Sequence, residues 1–260
     1  AMKALLIGCG KMGGALLEQW AQSPDWDFTV VDPYTEKVPD GVRLVKERSA
    51  IDSERFNLVI VAIKPQMVDD VMPDYRDQLE EAGVVASIAA GCSVKRLQTA
   101  TAAGPVIRIM PNLPALIAKG VSGLFASPEC SDAHKQSVEA LMARAGTVVW
   151  VNEEDKLDRV TAVAGSGPGY VFEIARTYIE AAKSLGFTHE QARDLVLGTM
   201  QGAIEMALGS DDSVETLRNS VTSKNGTTQA GLEALNADGA LTELMRRTTQ
   251  AAYDRAVELR

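Results

Sequence analysis

A glycine-rich turn near the start of the chain restricts the possible folds more than any other feature. The segment 7–13 reads I-G-C-G-K-M-G, follows a short apolar run and precedes a helical pattern. In such a strand–turn–helix unit Gly8 permits the tight turn, Gly10 lets the backbone approach a pyrophosphate, and Gly13 allows close packing. The helix N-terminus offers amide groups and a positive dipole end to phosphate. A tight turn without a ligand is the structural alternative. We predict that the dinucleotide contacts Gly8, Cys9, Gly10, Lys11, Met12 and Gly13.

The first half of the chain alternates short apolar runs, rich in Val and Ile, with helical segments. Near-continuous apolar strands separated by helices are typical of a parallel sheet that is covered on both faces. The helical segments are 14–21, 67–81 and 132–144. We predict strands at 4–7, 28–31, 58–63, 84–88, 106–110, 121–125 and 147–151.

The second half of the chain has a different pattern. After Asn152 no strand pattern follows, and the apolar residues of 171–182 have helical spacing. The segment 190–208 is apolar on two faces, and a helix of that kind is buried on both, which indicates a partner subunit. We therefore predict an α/β protein with an N-terminal Rossmann-type dinucleotide-binding domain (1–152). An all-helical substrate-binding and dimerisation domain (153–260) follows, and the protein is a homo-oligomer, at least a dimer.

The composition excludes several other classes. The net charge of −9 argues against a nucleic-acid partner, because phosphate binding needs clustered Lys and Arg. Cys9, Cys92 and Cys130 are far apart in the sequence, which favours neither a metal site nor a disulfide framework. His134 and His189 stand among charged residues near predicted helix starts, so we expect them at the surface. No apolar run reaches membrane-spanning length, and we predict a cytoplasmic protein with a small-molecule substrate.

Residues at the ends of later strands extend the predicted cofactor site. Asp32 ends the second strand about 20 residues after the glycine turn, where an acidic residue usually binds a ribose hydroxyl and repels a 2′-phosphate. It therefore favours NADH over NADPH, although an aspartate before Pro33 also suits a simple turn. The segment 62–65, with Ala62, Lys64 and Pro65, ends another strand at the C-terminal edge of the sheet, where such sheets bind ligands. A solvated lysine at a strand end is the alternative for Lys64.

Five segments together resemble pyrroline-5-carboxylate reductase over essentially the whole chain. They are the glycine turn 7–14, V-A-I-K-P-Q at 61–66, R-I-M-P-N at 108–112, A-G-S-G-P-G-Y at 164–170 and V-T-S-K-N-G-T-T at 221–228. The last is the most specific, because it resembles the substrate loop V-T-S-P-G-G-T-T of that family.

The resemblance implies a reaction and an assembly. The reaction is the reduction of 1-pyrroline-5-carboxylate to L-proline, the last step of proline biosynthesis, with hydride from NADPH or NADH. The resemblance also implies a nucleotide-binding domain joined to a helical dimerisation domain, in dimers that often form larger rings. It places the nicotinamide against the small residues 89–91, which include Ala90.

The segment 223–228 suits a cyclic imino acid. Its hydroxyl groups and the amides around Gly226, at the start of a predicted helix (227–235), can hold a carboxylate. By the resemblance, Thr228 reaches the imine nitrogen and donates or relays a proton, while Ser223 and Thr227 help to bind the carboxylate. An imine takes a proton more readily than a ketone does, so the protein mainly positions the reacting carbon. A Ser or Thr N-cap of the helix is the structural alternative.

The loop departs from the family pattern at three positions. Lys224 stands where proline is usual, Asn225 where the first glycine is usual, and Ser220 where asparagine is frequent. Asn225 tolerates left-handed backbone geometry better than most residues, so we expect the turn to survive. These departures bear on substrate affinity more than on the class of reaction.

Other functions are compatible with parts of the sequence. β-Hydroxyacid dehydrogenases share the layout and resemble one another in placing a lysine one turn into the long helix after a Gly/Ser-rich stretch. Here residues 170–173 are Y-V-F-E, so that proton carrier is missing. An imine reductase of the same architecture with another substrate is a further alternative. A non-enzymatic dinucleotide sensor explains the glycine turn but leaves the hydroxyl groups of 223–228 without a role.

Overall fold

The apolar runs of the first half pair into one eight-stranded sheet in the computed structural model, which describes residues 1–260. The strands are β1 (Met2–Ile7), β2 (Trp26–Val31), β3 (Arg43–Val45), β4 (Phe56–Val61), β5 (Leu79–Ser87), β6 (Val106–Met110), β7 (Gly120–Ala126) and β8 (Gly146–Trp150). Their order in the sheet is β3-β2-β1-β4-β5-β6-β7-β8, so the strand order reverses between β1 and β4. Ligands bind at this kind of switch point in open α/β sheets.

One pair of strands departs from the predicted parallel sheet. β6 and β7 are antiparallel, while all the other neighbours are parallel. The segment between them holds only a short 3₁₀ helix, Leu113–Ile117. A parallel crossover needs a dozen or more residues, so this connection is too short for one. The predicted parallel sheet is therefore confirmed except at the antiparallel pair of β6 and β7.

One strand was missed, and one predicted helix is broken. β3 was not predicted, because its three residues are partly exposed at the sheet edge and form no apolar run. The helix predicted over 67–81 is broken into a short α2 (Val68–Val71) and a 3₁₀ segment (Met72–Gln78), after which Leu79 begins β5. Pro73 explains the break, because proline has no amide hydrogen to donate to the carbonyl group four residues earlier.

Helices cover the two faces of the central strands. They are α1 (Lys11–Trp20), α3 (Val94–Thr101), α4 (Asp132–Ala143) and α5 (Asp155–Val160), the last of which runs into a π-helical turn, Thr161–Gly165. Neighbouring residues of a strand point to opposite faces, so Leu6 packs in one core layer with residues of α1 and α4. Leu5 packs in the other layer with Leu97 of α3. This double burial explains why the strands are almost wholly apolar.

The chain divides into two compact units. The first consists of Ala1–Pro168 together with Ala252–Arg260, and the second is Gly169–Ala251. The returning segment is tied to α5 by polar bonds. Tyr253 Oη donates to Asp155 Oδ1 at 2.7 Å, and Arg260 Nε donates to Asp158 Oδ2 at 2.7 Å. The domain boundary after residue 152 stays a prediction.

The second unit is helical, as its apolar spacing predicts. Its helices are α6 (Gly167–Ser184), α7 (His189–Leu208), α8 (Val214–Ser220), α9 (Thr227–Leu235) and α10 (Ala240–Glu258), the first and last of which extend into the first unit. Its core is small and consists of Ile179, Ala182, Ala192 and Val196, with Met200 packed against them. None of the helices in the structure combines the length and apolar character that a membrane span requires.

Candidate active site

The glycine turn adopts the geometry that a dinucleotide site needs. Gly8 has φ of +86°, and a Cβ atom there would lie 2.8 Å from the carbonyl oxygen of Ala62, so no other residue fits without strain. A Cβ atom on Gly13 would lie 3.3 Å from that of Ala62, which allows α1 to approach β4 closely. Gly10 is the N-cap of α1 and has open space around its Cα atom.

The start of α1 has no internal acceptor for its amide groups. No side chain caps the helix, and its first turn contains no acidic residue. The amides of the first turn, which includes Lys11, Met12 and Gly13, therefore remain available to an anion. The glycine turn, the free helix start and the strand switch point coincide, which is the arrangement that binds a pyrophosphate.

Asp32 is a buried acceptor that connects β2 to the glycine turn. Its Oδ2 accepts the amide of Cys9 at 2.7 Å, and its Oδ1 accepts the amides of Tyr34 at 2.7 Å and Thr35 at 3.1 Å. Burial raises the pKa of this carboxyl group, and the hydrogen bonds from the three backbone amides lower it. The lowering is the larger effect, so the pKa lies below its ordinary value of 3.8. The turn role and a ribose contact are compatible, because a carboxylate has about four acceptor positions and three are used here.

A cavity of about 590 Å³ opens beside these residues. It is lined by Gly8, Cys9, Gly10, Asp32, Ala62 and Lys64, and also by Tyr34, Lys46, Glu47 and Arg48. Lys46 Nζ donates to the carbonyl of Thr35, and Arg48 forms an ion pair with Asp52 at 2.5 Å. The sequence reasoning did not identify these two cations, because they lie just after the short β3, in a bend and at the start of a 3₁₀ helix (Arg48–Ile51) that carry no recognisable motif.

Lys64 and Pro65 lie just beyond the end of β4. The strand ends at Val61 and not at residue 63 as predicted, so Ala62 lies with Lys64 in the loop at the C-terminal edge of the sheet. Lys64 is exposed and precedes a 3₁₀ turn, Pro65–Met67. The structure brings Ala62 and Lys64 to the same cavity as the glycine turn, while Pro65 does not line that cavity.

The turn that follows β5 is held by several side chains. Ala90 is exposed there, and the amide of Ala89 donates to Ser87 Oγ at 3.1 Å. Glu154 Oε2 accepts the amide of Val94 at 2.9 Å and Nη1 of Arg108 at 2.6 Å, so it satisfies one free amide at the start of α3.

Arg96 joins this turn to the loop after β4, since it donates to the carbonyl of Pro65 and to Asp69. The sequence reasoning missed Arg96 and Glu154. Only the motif that contains Arg108 gave a signal for this network.

The loop 223–228 begins α9 in the second unit. Asn225 has φ of +62°, which confirms that the turn survives with asparagine in place of glycine. The N-cap is Gly226, and no side chain caps the helix, so the alternative of a Ser or Thr N-cap is wrong. A Cβ atom on Gly226 would collide with Ser223 Oγ, so a larger residue there would displace that hydroxyl group.

The hydroxyl groups of this loop face solvent without partners in the chain. Ser223, Thr227 and Thr228 are exposed, and no hydrogen bond within the chain engages their hydroxyl groups. Lys224 is also exposed. Three hydroxyl groups, the uncapped amides of a nine-residue helix and one cation therefore lie around one turn. Such a turn can bind a carboxylate and hold a hydroxyl group against a polar atom beside it.

Comparisons with known proteins identify the family. The model for pyrroline-5-carboxylate reductase dimerisation matches residues 154–259, and that for NADP oxidoreductase, coenzyme F420-dependent, matches residues 3–91. A pyrroline-5-carboxylate reductase of Pseudomonas aeruginosa is 37% identical over 260 residues, covering 97% of this chain and 95% of its own length. The chain belongs to the pyrroline-5-carboxylate reductase family.

Solved structures agree with this assignment. A pyrroline-5-carboxylate reductase from Coxiella burnetii superposes with a TM-score of 0.92 at 31% identity, covering 99% of this chain and 98% of that one. A Plasmodium falciparum pyrroline carboxylate reductase, solved with NADP bound, has a TM-score of 0.83 at 23% identity and covers 98% and 97%. At that identity it supports the fold alone. The family's fold, a Rossmann-like sheet followed by a helical dimerisation domain, is the one predicted from the sequence.

Proposed function

We propose that the protein reduces 1-pyrroline-5-carboxylate to L-proline, the last step of proline biosynthesis. Hydride from NADH or NADPH adds to the ring carbon of the C=N bond, one proton adds to the nitrogen, and the oxidised cofactor leaves. The observation that carries this proposal is the loop 223–228, whose unpartnered hydroxyl groups and amides match an imine nitrogen and a carboxylate. The family membership supports the same reaction.

Each polar group of the loop has a proposed role. Thr228 hydrogen-bonds to the imine nitrogen and supplies or relays its proton, so it is the proposed catalytic residue. Ser223 and Thr227 bind the carboxylate through their hydroxyl groups, and Gly226 exposes the amides of the first turn of α9 to the same anion. A cyclic imine is basic enough to need little help from an acid, so positioning contributes most of the rate.

The first unit holds the cofactor in this proposal. The pyrophosphate lies on the amides at the start of α1, against Gly8, Cys9, Gly10, Lys11, Met12 and Gly13. Asp32 accepts a ribose hydroxyl at its remaining acceptor position and disfavours a 2′-phosphate, so NADH is the preferred cofactor. Lys46 and Arg48 line the same cavity and reduce that preference, because they attract a phosphate. Ala62, Lys64, Pro65 and Ala90 line the path of the cofactor toward the nicotinamide.

The assembly follows from the family. The chain carries the dimerisation domain of pyrroline-5-carboxylate reductases over residues 154–259 and forms a homo-oligomer. The free thiols of Cys9, Cys92 and Cys130 agree with the proposed cytoplasmic location.

Steady-state oxidation of NADH and of NADPH, each with pyrroline-5-carboxylate, tests the proposal. We expect imine-dependent turnover with both cofactors, L-proline as the product, and a higher kcat/KM with NADH. The control is the reverse assay with NAD⁺ and a β-hydroxyacid, in which we expect no turnover because the proton-carrying lysine of such dehydrogenases is missing. Cofactor binding without any turnover of the imine would identify a binding module instead.

A further inference from the structure

The turn after β5, residues 88–93, lies where the reactive end of a bound dinucleotide belongs. A dinucleotide crosses the point where the strand order reverses, here between β1 and β4. With the adenosine half at Asp32 of β2, as proposed above, the nicotinamide half extends to the ends of β4 and β5 on the other side. We call residues 88–93 the β5 turn. Ala89, Ala90 and Gly91 have no side chain larger than a methyl group, so its backbone forms the wall there.

A charged residue stands in the middle of the neighbouring strand. β6 reads V-I-R-I-M, and Arg108 lies between Ile107 and Ile109, which are both buried. The side chain of Arg108 is only 11% exposed, and the residue lies opposite Ser87, the last residue of β5, in the sheet register. Burying a charge is costly, and replacing a buried ion pair by apolar residues is often neutral or stabilising. Stability alone therefore does not account for an arginine at this position.

Glu154 connects this arginine to the β5 turn. Its Oε2 accepts Nη1 of Arg108 at 2.6 Å and the amide of Val94 at 2.9 Å. Val94 is the first residue of α3 and directly follows the β5 turn. One carboxylate oxygen therefore ties the end of the turn to the middle of β6. Hydrogen bonds between ionised groups are shorter and stronger than neutral ones, so this link resists displacement of the turn.

Two other hydrogen bonds act within the β5 turn and its flanks. The amide of Ala89 donates to Ser87 Oγ at 3.1 Å, and Ser93 Oγ accepts the amide of Arg96 at 3.1 Å. Both bonds join residues close in sequence, so they set the shape of the turn. The carboxylate link joins it to a neighbouring strand and sets its position. Because Ser93 and the carboxylate each occupy an amide at the start of α3, this helix suits an anion less well than α1 does.

We propose that Glu154 is a positioning residue for hydride transfer. Paired with Arg108, it holds the β5 turn at the distance from the sheet that the nicotinamide ring requires. The inference rests on the proposed function, because it needs a nicotinamide cofactor in the first unit. A displacement of about 1 Å in such a wall can lower the rate about a hundredfold, because the reacting atoms must be closely aligned. Cofactor affinity changes little, since the start of α1 holds the pyrophosphate.

The fluorescence of bound NADH tests the proposal without turnover. Glu154→Gln keeps the size of the side chain and an oxygen that can accept the amide of Val94, but it removes the charge that pairs with Arg108. We expect enhanced dihydronicotinamide emission on binding to the unmodified protein, and an enhancement about twofold smaller in the variant. The dissociation constant of NADH stays within about twofold. The matched control is Glu153→Gln, an exposed neighbour, which should behave like the unmodified protein.

Steady-state kinetics with pyrroline-5-carboxylate measure the consequence for the reaction. We expect Glu154→Gln to lower kcat about tenfold and to keep KM for the imine within about twofold, because the loop 223–228 is unchanged. Arg108→Met should give a similar loss of kcat and of emission. The double variant should show no further loss, because the two residues act as one unit.

The outcomes separate a positioning role from a purely structural one. Circular dichroism of each variant verifies its secondary structure, and Arg108→Met provides a second variant for every measurement. Unchanged NADH emission in Glu154→Gln would overturn the proposal, as would an equal change in Glu153→Gln or losses that multiply in the double variant. The expected change of emission in a protein that does not reduce the imine would support the positioning role and contradict the proposed reaction.

Discussion

The two units of the chain differ in how much apolar surface they bury by themselves. The first unit has two core layers, one on each face of the sheet, with large side chains such as Trp20 and Phe56 fully buried. The second unit buries only five hydrophobic residues, of which three are alanines: Ala175, Ile179, Ala182, Ala192 and Val196. Larger apolar residues of the same helices remain exposed. A helical unit of this kind gains its stability by association, and the cofactor unit has a core of its own.

The substitution with the largest expected effect tests whether the first unit holds the glycine turn in a rigid conformation. Gly8→Ala forces a left-handed backbone on alanine and places its Cβ atom 2.8 Å from a carbonyl oxygen. We expect cofactor affinity to fall more than about a hundredfold, and the melting temperature to fall by roughly 5 °C. Calorimetric titration with NADH and a thermal scan measure the two quantities.

Gly10→Ala is the matched control, because Gly10 has φ of −72° and open space around it. We expect it to keep the melting temperature and to lose affinity only, through contact with the pyrophosphate. An unchanged melting temperature and affinity for Gly8→Ala would show that the turn is adaptable, and the contrast between the units would weaken.

The next effect concerns the exposed face of the helical unit. Ile204 is 61% exposed on α7, and Ile204→Glu places a charge where a partner would bury it. Buried interface residues commonly contribute about 2 kcal/mol or more, so we expect the dimer dissociation constant to rise about thirtyfold. Analytical ultracentrifugation measures this change. A stable, active monomer near 27.8 kDa in the unmodified protein would contradict the dependence of this unit on a second copy.

The smallest effect concerns cofactor choice within the first unit. Asp32→Ser removes a charge that disfavours the 2′-phosphate, while a serine hydroxyl can still accept an amide of the turn. We expect the ratio of kcat/KM for NADPH to that for NADH to rise about tenfold, which corresponds to roughly 1.4 kcal/mol.

The charge of Asp32 should not vary between neutral and alkaline assays of the unmodified protein. The pKa of Asp32 lies below its ordinary value, so the carboxylate is ionised throughout neutral and alkaline assays, and its contribution is lost only under strong acid. A strong preference for NADPH in the unmodified protein would contradict our interpretation of Asp32.

The difference in apolar burial between the two units also explains which features could be predicted from the sequence. The strands of the first unit are buried on both faces, so their apolar runs predicted nearly every strand, including β6 at its observed bounds. β3 was not predicted, because an edge strand has little apolar signal. β7 was predicted as a strand but not as an antiparallel one, because its direction depends on the length of the connection before it. The left-handed turn at Asn225 was predictable from backbone preferences. The pairing of Glu154 with Arg108 depends on residues 46 positions apart, which no local pattern brings together.

The contribution of the loop 223–228 to the chemical step is the central claim, and steady-state kinetics of Thr228→Ala test it most directly. Thr227→Ala is the matched control, because both threonines are exposed in the first turn of α9. We predict that Thr228→Ala lowers kcat roughly tenfold to a hundredfold with an unchanged KM for the cofactor, whereas Thr227→Ala raises KM for the imine. If Thr228→Ala keeps its full kcat and changes only KM for the imine, Thr228 binds the substrate and solvent supplies the proton, which contradicts the account.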